Sequence, residues 1–342
     1  MISSDEYWMR KALQMAKKGR GLCSPNPMVG AVVVKDGKLI GKGYHQKAGE
    51  AHAEVNALRS AGAIAEGADV YVTLEPCCTF GRTPPCTSAL LKAKVRRVII
   101  GCMDANPNHR GKAVKILGEG GIEVSSNILE KECRLLNEHF FWWIQEKRPY
   151  VCLKMAMTLD GKIATKSGDS QWITGAAARN YVQKLRKLAD AIMVGGETAR
   201  LDNPSLKVKS PKNWPMQPKP YIWTSRELPD SLSIKSECRA VKPQTQKEWI
   251  AFLSKLGREN CSVLLLEGGG ELAASALQAG IVNKVYFFVA PKILCGRSSR
   301  PVVSGENPSG LADALPIEDM KCKKVGDDFL WTGYCKNVYR NY

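Results

Sequence analysis

One histidine, two cysteines and one glutamate have the types and spacing of a zinc-dependent hydrolytic site. His52-Ala53-Glu54 supplies an imidazole and a carboxylate, and the thiols follow in Pro76-Cys77 and Pro84-Pro85-Cys86. Zn²⁺ prefers such N and S donors, and three protein ligands leave the fourth position open, as in catalytic zinc sites. We predict His52, Cys77 and Cys86 as the ligands of one zinc ion per chain. Glu54 is the predicted catalytic residue, a proton shuttle for amine hydrolysis on a nucleobase-like ring.

The alternative is a structural zinc site, which requires a fourth protein ligand. Cys78 is the obvious candidate, although two adjacent residues rarely reach one metal ion without strain. Cys86 is predicted in the first turn of a helix and His52 at the start of another. The partial positive charge of a helix N-terminus favours thiolate over thiol there, so the predicted positions also suit metal binding.

The chain has the composition of a soluble globular protein, and 342 residues suggest two domains. Its twelve cysteines show no paired spacing, which favours a reduced, cytoplasmic chain over a disulfide framework. The first residues lack signal-peptide features, and no apolar run reaches the roughly 18–20 residues of a membrane helix. The formal net charge of +17 indicates an anionic partner or simply a solubilising surface. Because the basic residues form no arm or dense cluster, nucleic acid is disfavoured.

Hydrophobic periodicity predicts helices and strands in alternation through the first half of the chain. A hairpin is expected around Asp36-Gly37, and a long amphipathic helix over Leu129–Ile144. The strand–helix–strand order predicts a mostly parallel sheet covered on both faces. A charged, proline-marked break at Glu146-Lys147-Arg148-Pro149 separates two predicted domains, residues 1–146 and 147–342. The second half again alternates strands and helices, but residues 234–260 are poorly informative.

The interval between the two cysteines distinguishes among zinc deaminases. Deaminases of nucleic acids and free cytidine typically carry Pro-Cys-x-x-Cys, whereas eight residues separate Cys77 from Cys86 here. Gly81-Arg82-Thr83-Pro84-Pro85-Cys86, with Pro25-Asn26-Pro27 and Gly43-Tyr44-His45 upstream, resembles the bifunctional deaminase/reductase family of riboflavin biosynthesis. The resemblance covers nearly the whole chain. It implies an α/β protein of two domains, a cytidine-deaminase-like α/β/α sandwich followed by a dihydrofolate-reductase-like domain.

The resemblance also implies the first substrate, 2,5-diamino-6-(5-phosphoribosylamino)pyrimidin-4-one, whose ring amine is exchanged for oxygen with release of ammonia. Asn26 and His45 match family positions near the pyrimidine. One position departs from the family, which usually has Ser-His after Pro-Cys, with that histidine lining the substrate pocket. This chain has Cys78-Thr79 instead. Recognition of the ring is therefore expected to rely on a hydroxyl or on other groups.

The second half carries a glycine-rich turn, Glu267-Gly268-Gly269-Gly270, between a predicted strand and a predicted helix. Backbone amides at such a position can bind a phosphate. Alone it is a weak dinucleotide fingerprint, since no convincing acid follows where a Rossmann site needs one, and a plain turn is the alternative. Residues 154–164 and 170–174 look like the family's reductase motifs. The resemblance implies NADPH as cofactor and reduction of the ribosylamino sugar to a ribitylamino chain.

One residue of the second half stands out on its own chemistry. Lys154 lies among apolar residues of a predicted strand, where a lysine needs a partner or a role. The resemblance implies that Arg186 is a substrate position, where its guanidinium fork suits the substrate's phosphate. By the resemblance, the cofactor positions are Ala156, Trp172, Thr198, Asp202, Ser225, Gly269, Gly270, Glu271, Leu272, Ala273, Ala274 and Ser275. The substrate positions are Lys154, Ser170, Arg186, Leu206, Lys209 and Glu267.

Two other classes of function compete with a bifunctional enzyme. A nucleic-acid editor with an accessory domain is disfavoured by the long interval before Cys86 and by the lack of an aromatic and basic stripe. A scaffold with an inactive zinc fold is disfavoured because Glu54 and all three ligands are present. We therefore expect a cytoplasmic homo-oligomeric enzyme for small phosphorylated pyrimidines, with no nucleic-acid or membrane partner.

Overall fold

The computed structural model describes residues 4–81, 83–107 and 109–335. The chain divides into two units, Met1–Glu146 and Lys147–Tyr342. Within the described residues, no helix combines the length and the apolar character needed to cross a bilayer.

The first unit is a five-stranded sheet between two layers of helices. Its elements are α1 (Ser4–Ala16), β1 (Gly30–Lys35), β2 (Lys38–Tyr44), α2 (Ala53–Ala61), β3 (Asp69–Leu74), α3 (Cys86–Lys92), β4 (Arg97–Cys102), α4 (Lys112–Glu119), β5 (Glu123–Ser125), α5 (Glu130–Leu136) and α6 (Glu138–Glu146). Alternate strand residues point to opposite faces. Ala31 and Val33 pack against α2, α3 and α4, whereas Val32 and Val34 pack against α1, α5 and α6.

The strand order of this sheet is β2-β1-β3-β4-β5. β3, β4 and β5 are parallel, but β1 is antiparallel to both β2 and β3. The prediction of a mostly parallel sheet is therefore wrong for this unit, because two of its four pairings are antiparallel. The cause is the tight turn at Asp36-Gly37, where both residues have positive φ. The turn reverses β1 relative to β2, and β1 then lies between two strands that share one direction.

A single buried residue, Asn137, interrupts the helix predicted over Leu129–Ile144, so the prediction of one continuous helix is wrong there. Asn137 is fully buried between α5 and α6. Its side-chain oxygen accepts from Met28 N at 2.8 Å, and its side-chain nitrogen donates to Met28 O at 2.9 Å. The amide group thus pairs both backbone polar groups of a residue 109 positions away, in the chain segment that precedes β1.

Asn137→Ala is expected to lower the free energy of unfolding of the first unit by about 2–4 kcal/mol. The alanine leaves a buried N–H and a buried C=O of Met28 without partners, and such groups cost about 1–3 kcal/mol each. Denaturant unfolding followed by circular dichroism measures the loss. Lys131→Ala, at an exposed position of α5, is the control and should stay within about 0.5 kcal/mol of the wild type. Equal stability of the two variants would contradict the role assigned to Asn137.

The second unit contains an eight-stranded sheet with helices packed against it. Its elements are β6 (Tyr150–Thr158), β7 (Lys162–Ala164), α7 (Ala176–Leu188), β8 (Ala191–Gly195), α8 (Gly196–Asp202), β9 (Lys219–Trp223), β10 (Arg239–Val241), α9 (Gln246–Arg258), β11 (Val263–Leu266), α10 (Gly270–Gln278), β12 (Lys284–Ala290), β13 (Arg300–Pro301), β14 (Glu318–Val325) and β15 (Asp328–Tyr334). The order is β10-β9-β8-β11-β6-β12-β15-β14, with β7 and β13 paired separately. The first six strands of this order are parallel, and β15 and β14 add an antiparallel edge.

The helix α9 lies in the segment that the sequence left uninterpreted. Thr245 caps it by accepting from Glu248 N, while the Glu248 carboxylate accepts from Thr245 N at 3.1 Å. Trp249, in the next position, is fully buried and donates through Nε1 to Ser275 Oγ at 3.0 Å. The Thr-x-x-Glu pattern is a helix-start signal that is visible in the sequence.

Candidate active sites

The three predicted metal ligands meet in the first unit, beside the carboxyl end of β3. His52 is the N-cap of α2, Cys77 follows β3, and Cys86 is the first residue of α3. His52 Nδ1 lies 3.4 Å from Cys77 Sγ and 3.3 Å from Cys86 Sγ, and the three donor atoms are all within 4.8 Å of one another. Zn–S and Zn–N bonds of about 2.3 and 2.0 Å in a tetrahedron place N and S about 3.5 Å apart. The donor set therefore fits zinc in both chemistry and spacing.

The two cysteines differ in their tendency to ionise. The Cys86 thiol donates to Cys77 Sγ, and so do the Cys86 backbone N–H, at 3.3 Å, and the His52 ring. These hydrogen bonds lower the pKa of the Cys77 thiol to about 4. The pKa of Cys86 is raised, first because its proton is held by Cys77 and then by burial. One thiolate therefore forms readily at the N-terminus of α3, and a bound divalent cation would release the remaining thiol proton.

Glu54 lies in the first turn of α2 and is buried, with 3% of its surface exposed. Burial, followed by the negative charge of Cys77, raises the pKa of its carboxyl to about 7. It also hydrogen-bonds to Cys86, which places it against the ligand set. A carboxyl that gains and loses a proton near neutral pH is suited to general acid–base catalysis.

Asn26 and His45 form a hydrogen-bonded pair next to the ligands. The Asn26 side-chain nitrogen lies 3.0 Å from His45 Nε2, and His45 Nδ1 lies 3.3 Å from Ala51 O. The rings of His45 and His52 meet edge to face, 5.1 Å apart. Burial lowers the pKa of His45. A neutral imidazole satisfies both contacts by donating from Nδ1 to Ala51 O and accepting at Nε2 from Asn26.

Cys78 does not join the ligand group that the described residues form. Its Sγ lies 3.7 Å from His109 Nδ1, on the loop before α4. The neighbouring Thr79 is exposed. The structure therefore offers no fourth protein ligand at Cys78, which favours an open coordination position over a structural site. Sequence reasoning missed His109, because only the folded chain brings it to Cys78.

A cavity of about 1180 Å³ in the second unit collects most of the predicted reductase residues. Its lining contains nine basic and four acidic side chains, which suits phosphorylated ligands. Trp172 is 62% exposed and stacks under the Arg179 guanidinium at 4.5 Å. Fourteen predicted residues line the cavity: Lys154, Ala156, Ser170, Trp172, Arg186, Thr198, Asp202, Leu206, Lys209, Ser225, Glu267, Gly269, Gly270 and Glu271.

The predicted cofactor segment reaches this cavity only through its first three residues. Gly269 has a φ of +71° and is the N-cap of α10. A Cβ on Gly270 would lie 2.7 Å from Pro301 O, so only glycine fits there. The remaining predicted positions lie inside α10: Leu272, Ala273 and Ala274 are buried in the core, and Ser275 accepts from the Trp249 side chain.

Arg186, Glu267 and Lys154 form a charged group at the cavity wall. Arg186 Nε and Nη2 donate to the two Glu267 carboxylate oxygens at 2.7 and 2.8 Å, and Nη1 donates to Lys207 O at 3.0 Å. Burial alone would raise the pKa of Glu267, but Arg186 and Lys154 lower it below its ordinary value. Burial lowers the pKa of Lys154, and the nearby Glu267 opposes that effect. Two N–H groups of the Arg186 guanidinium are already bonded to Glu267. A phosphate must therefore displace the Glu267 carboxylate from Arg186 or bind the outer edge of the guanidinium.

Both units match known families. The family model for the cytidine and deoxycytidylate deaminase zinc-binding region matches residues 2–102, and that for the RibD C-terminal domain matches residues 149–331. The riboflavin biosynthesis protein RibD of Actinobacillus pleuropneumoniae is 39% identical, over 96% of this chain and 94% of that protein. The chain belongs to the RibD family. Another member, RibD of Escherichia coli K12, is 37% identical over 95% of this chain and 97% of that protein.

Solved structures of RibD proteins extend the similarity to the fold. Acinetobacter baumannii RibD is 38% identical, with a TM-score of 0.88 and coverage of 98% of this chain and 99% of that one. The diaminohydroxyphosphoribosylaminopyrimidine deaminase/5-amino-6-(5-phosphoribosylamino)uracil reductase of Thermotoga maritima is 32% identical, with a TM-score of 0.85 and coverage of 97% and 98%. The predicted family, the two-domain α/β fold class and the bifunctional deaminase/reductase activity in riboflavin biosynthesis are thereby confirmed.

Proposed function

We propose that the chain carries out two consecutive reactions on phosphorylated pyrimidines. Residues 1–146 deaminate 2,5-diamino-6-(5-phosphoribosylamino)pyrimidin-4-one by hydrolysis, and residues 147–342 use NADPH to reduce the ribosyl group of the product to ribityl. The observation that carries the proposal is the convergence of His52, Cys77 and Cys86 beside the buried Glu54. The Thermotoga maritima relative is named as a deaminase and reductase of this kind, which supports the proposal. The basic lining of the second unit's cavity supports phosphorylated ligands.

In the first unit, His52, Cys77 and Cys86 would hold the zinc ion. When bound, zinc supplies a water polarised enough to act as a nucleophile at neutral pH. Glu54 takes the proton from the attacking water and delivers a proton to the amine, which leaves as ammonia. Asn26 and His45 hold each other beside the ligands and present polar edges to the pyrimidine.

In the second unit, NADPH supplies a hydride when bound. The predicted cofactor residues on the cavity wall include Thr198, Ser225 and the glycine turn before α10. Opening of the sugar ring converts the ring oxygen to a hydroxyl and leaves a C1′=N double bond, so the hydride adds to C1′ and a proton must follow to the nitrogen. Lys154 lies at the cavity wall beside Glu267 and is the group placed to deliver that proton. Ser170, which donates to Asp202 at 2.8 Å, belongs with Leu206 and Lys209 to the substrate side.

The setting of the enzyme is also a proposal. All twelve cysteines are free thiols, which supports a reducing, cytoplasmic location. We further propose a homo-oligomer whose partners are phosphorylated small molecules and which binds neither nucleic acid nor membranes.

A single assay tests the proposed function. Purified protein is analysed for metal, and the diaminopyrimidinone phosphate is then added without NADPH. We expect about one zinc ion per chain and release of ammonia, followed by oxidation of NADPH once that cofactor is added. Absence of zinc, or no ammonia from this substrate, would overturn the deaminase assignment. Binding of RNA with a steep salt dependence would instead favour the nucleic-acid alternative.

A further inference from the structure

The loop between β4 and α4 is fastened to the strand end that carries the metal ligand Cys77. Glu75 is buried and lies two residues before Cys77. One of its carboxylate oxygens accepts from Asp104 N at 3.2 Å and from Gly111 N at 3.1 Å, and the other accepts from Ala113 N at 3.2 Å. Both ends of the loop are therefore tied to the end of β3. Two of these bonds occupy the Gly111 and Ala113 amides at the start of α4, and the Lys112 amide donates to His109 O at 3.0 Å.

His109 is the side chain that this fastened loop brings to the metal site. His109 is half-buried, and its backbone N–H donates to Asn106 O at 2.9 Å. Its side-chain Nδ1 lies 3.7 Å from Cys78 Sγ. Asp104 at the start of the loop is buried, which raises the pKa of its carboxyl, and the nearby His109 opposes that rise. No described residue hydrogen-bonds His109 Nε2, and that ring nitrogen is free for a ligand.

We propose that His109 is a substrate-binding residue of the deaminase site, and that its Nε2 hydrogen-bonds the pyrimidine ring from the side of Cys78. The inference rests on the proposed deaminase function. A thiol is a weak hydrogen-bonding group, so Cys78 alone is poorly suited to recognise the polar groups of a pyrimidine ring. Thr79 is exposed and does not supply a buried contact. Of the chain's four histidines, His52 is a ligand, His45 is paired with Asn26, and His139 is buried in α6.

The test compares His109→Ala and His109→Gln with the wild type. The readouts are kcat and KM for ammonia release, zinc content, and NADPH oxidation on the deaminated intermediate. We expect His109→Ala to raise KM about tenfold, the loss of one hydrogen bond to a ring that the site is built to bind. His109→Gln should recover part of the affinity, because its amide also donates and accepts. Thr79→His, added to His109→Ala, should recover affinity by returning an imidazole next to Cys78. Lys115→Ala, exposed on α4, is the control.

Unchanged KM in both His109 variants would overturn the proposal, and so would a loss confined to kcat. Loss of zinc in folded His109→Gln would show that the residue only supports the ligands, which also overturns it. If His109→Ala fails to fold, His109→Gln decides the question alone. Failure of the underlying function looks different, because the wild type would then release no ammonia.

Discussion

Glu54→Gln is expected to lower kcat for ammonia release by about 10³-fold or more, while zinc content and NADPH-dependent reduction stay at wild-type levels. General acid–base groups contribute roughly 10²–10⁴-fold to rates. Glutamine keeps the size of the side chain and a hydrogen bond to Cys86, but it cannot take up or release the proton. Because Glu54 is buried and solvent cannot easily replace it, we expect the upper part of that range. Metal analysis, an ammonia assay and NADPH oxidation on the deaminated intermediate give the three measurements.

Glu50→Gln is the matched control for this variant. Glu50 is an exposed carboxylate four positions before Glu54, and its substitution removes the same charge from the same region. Ammonia release should survive in Glu50→Gln. If Glu54→Gln kept its ammonia release, the proton shuttle would have to be another group. If folded Glu54→Gln lost both activities, the assignment of two independent sites would be wrong.

Lys154→Met is expected to lower kcat/KM for NADPH-dependent reduction by about 10²-fold or more, with ammonia release unchanged. Methionine fills much of the same volume in β6, but it removes the positive charge beside Glu267 and the proton that we assign to the nitrogen on C1′ of the opened sugar. Reduction is followed by the absorbance of NADPH with the deaminated intermediate as substrate. The thermal midpoint should rise or stay constant, since a lysine whose pKa is lowered by burial is held there at a cost to stability.

Lys284→Met provides the matched lysine control in the neighbouring strand β12. Lys284 donates to the Tyr334 hydroxyl at 2.8 Å and does not line the cavity. Its loss should leave reduction near the wild-type rate. Wild-type reduction by Lys154→Met would contradict the proposed proton donor. A defect shared equally by both lysine variants would point instead to general damage of the sheet.

The convergence of the three candidate metal ligands was predictable, because residue types at fixed spacings indicate them. His52 and Cys86 lie at the starts of helices, and Cys77 closely follows a strand, so the elements that position them are also visible in the hydrophobic pattern. The antiparallel direction of β1 was harder to predict from the sequence, because pairing between β1 and β3 depends on where the hairpin inserts in the sheet.

Contacts between distant residues were beyond sequence reasoning. The bidentate pair of Arg186 and Glu267 joins residues 81 positions apart, and nothing local to either residue indicates it. His109 meets Cys78 across 31 positions of the chain, on a loop that Glu75 holds at both ends. The helix α9 differs from these contacts, because the Thr245-x-x-Glu248 capping pattern is present in the sequence. The weak hydrophobic periodicity of the surrounding segment is the reason that no helix was predicted there.

The proposed metal ligands come from three separate parts of the chain, and 25 and 34 positions separate His52 from Cys77 and Cys86. No short stretch of the chain can therefore assemble the site by itself. All three residues can hold zinc together only after the strands that set the spacing of α2 and α3 have formed. Stable zinc binding would therefore indicate that the first unit has folded. Free energy gained on zinc binding then adds directly to the stability of the folded form. Under zinc limitation the cell would lose not only turnover of this reaction but also part of the lifetime of the enzyme.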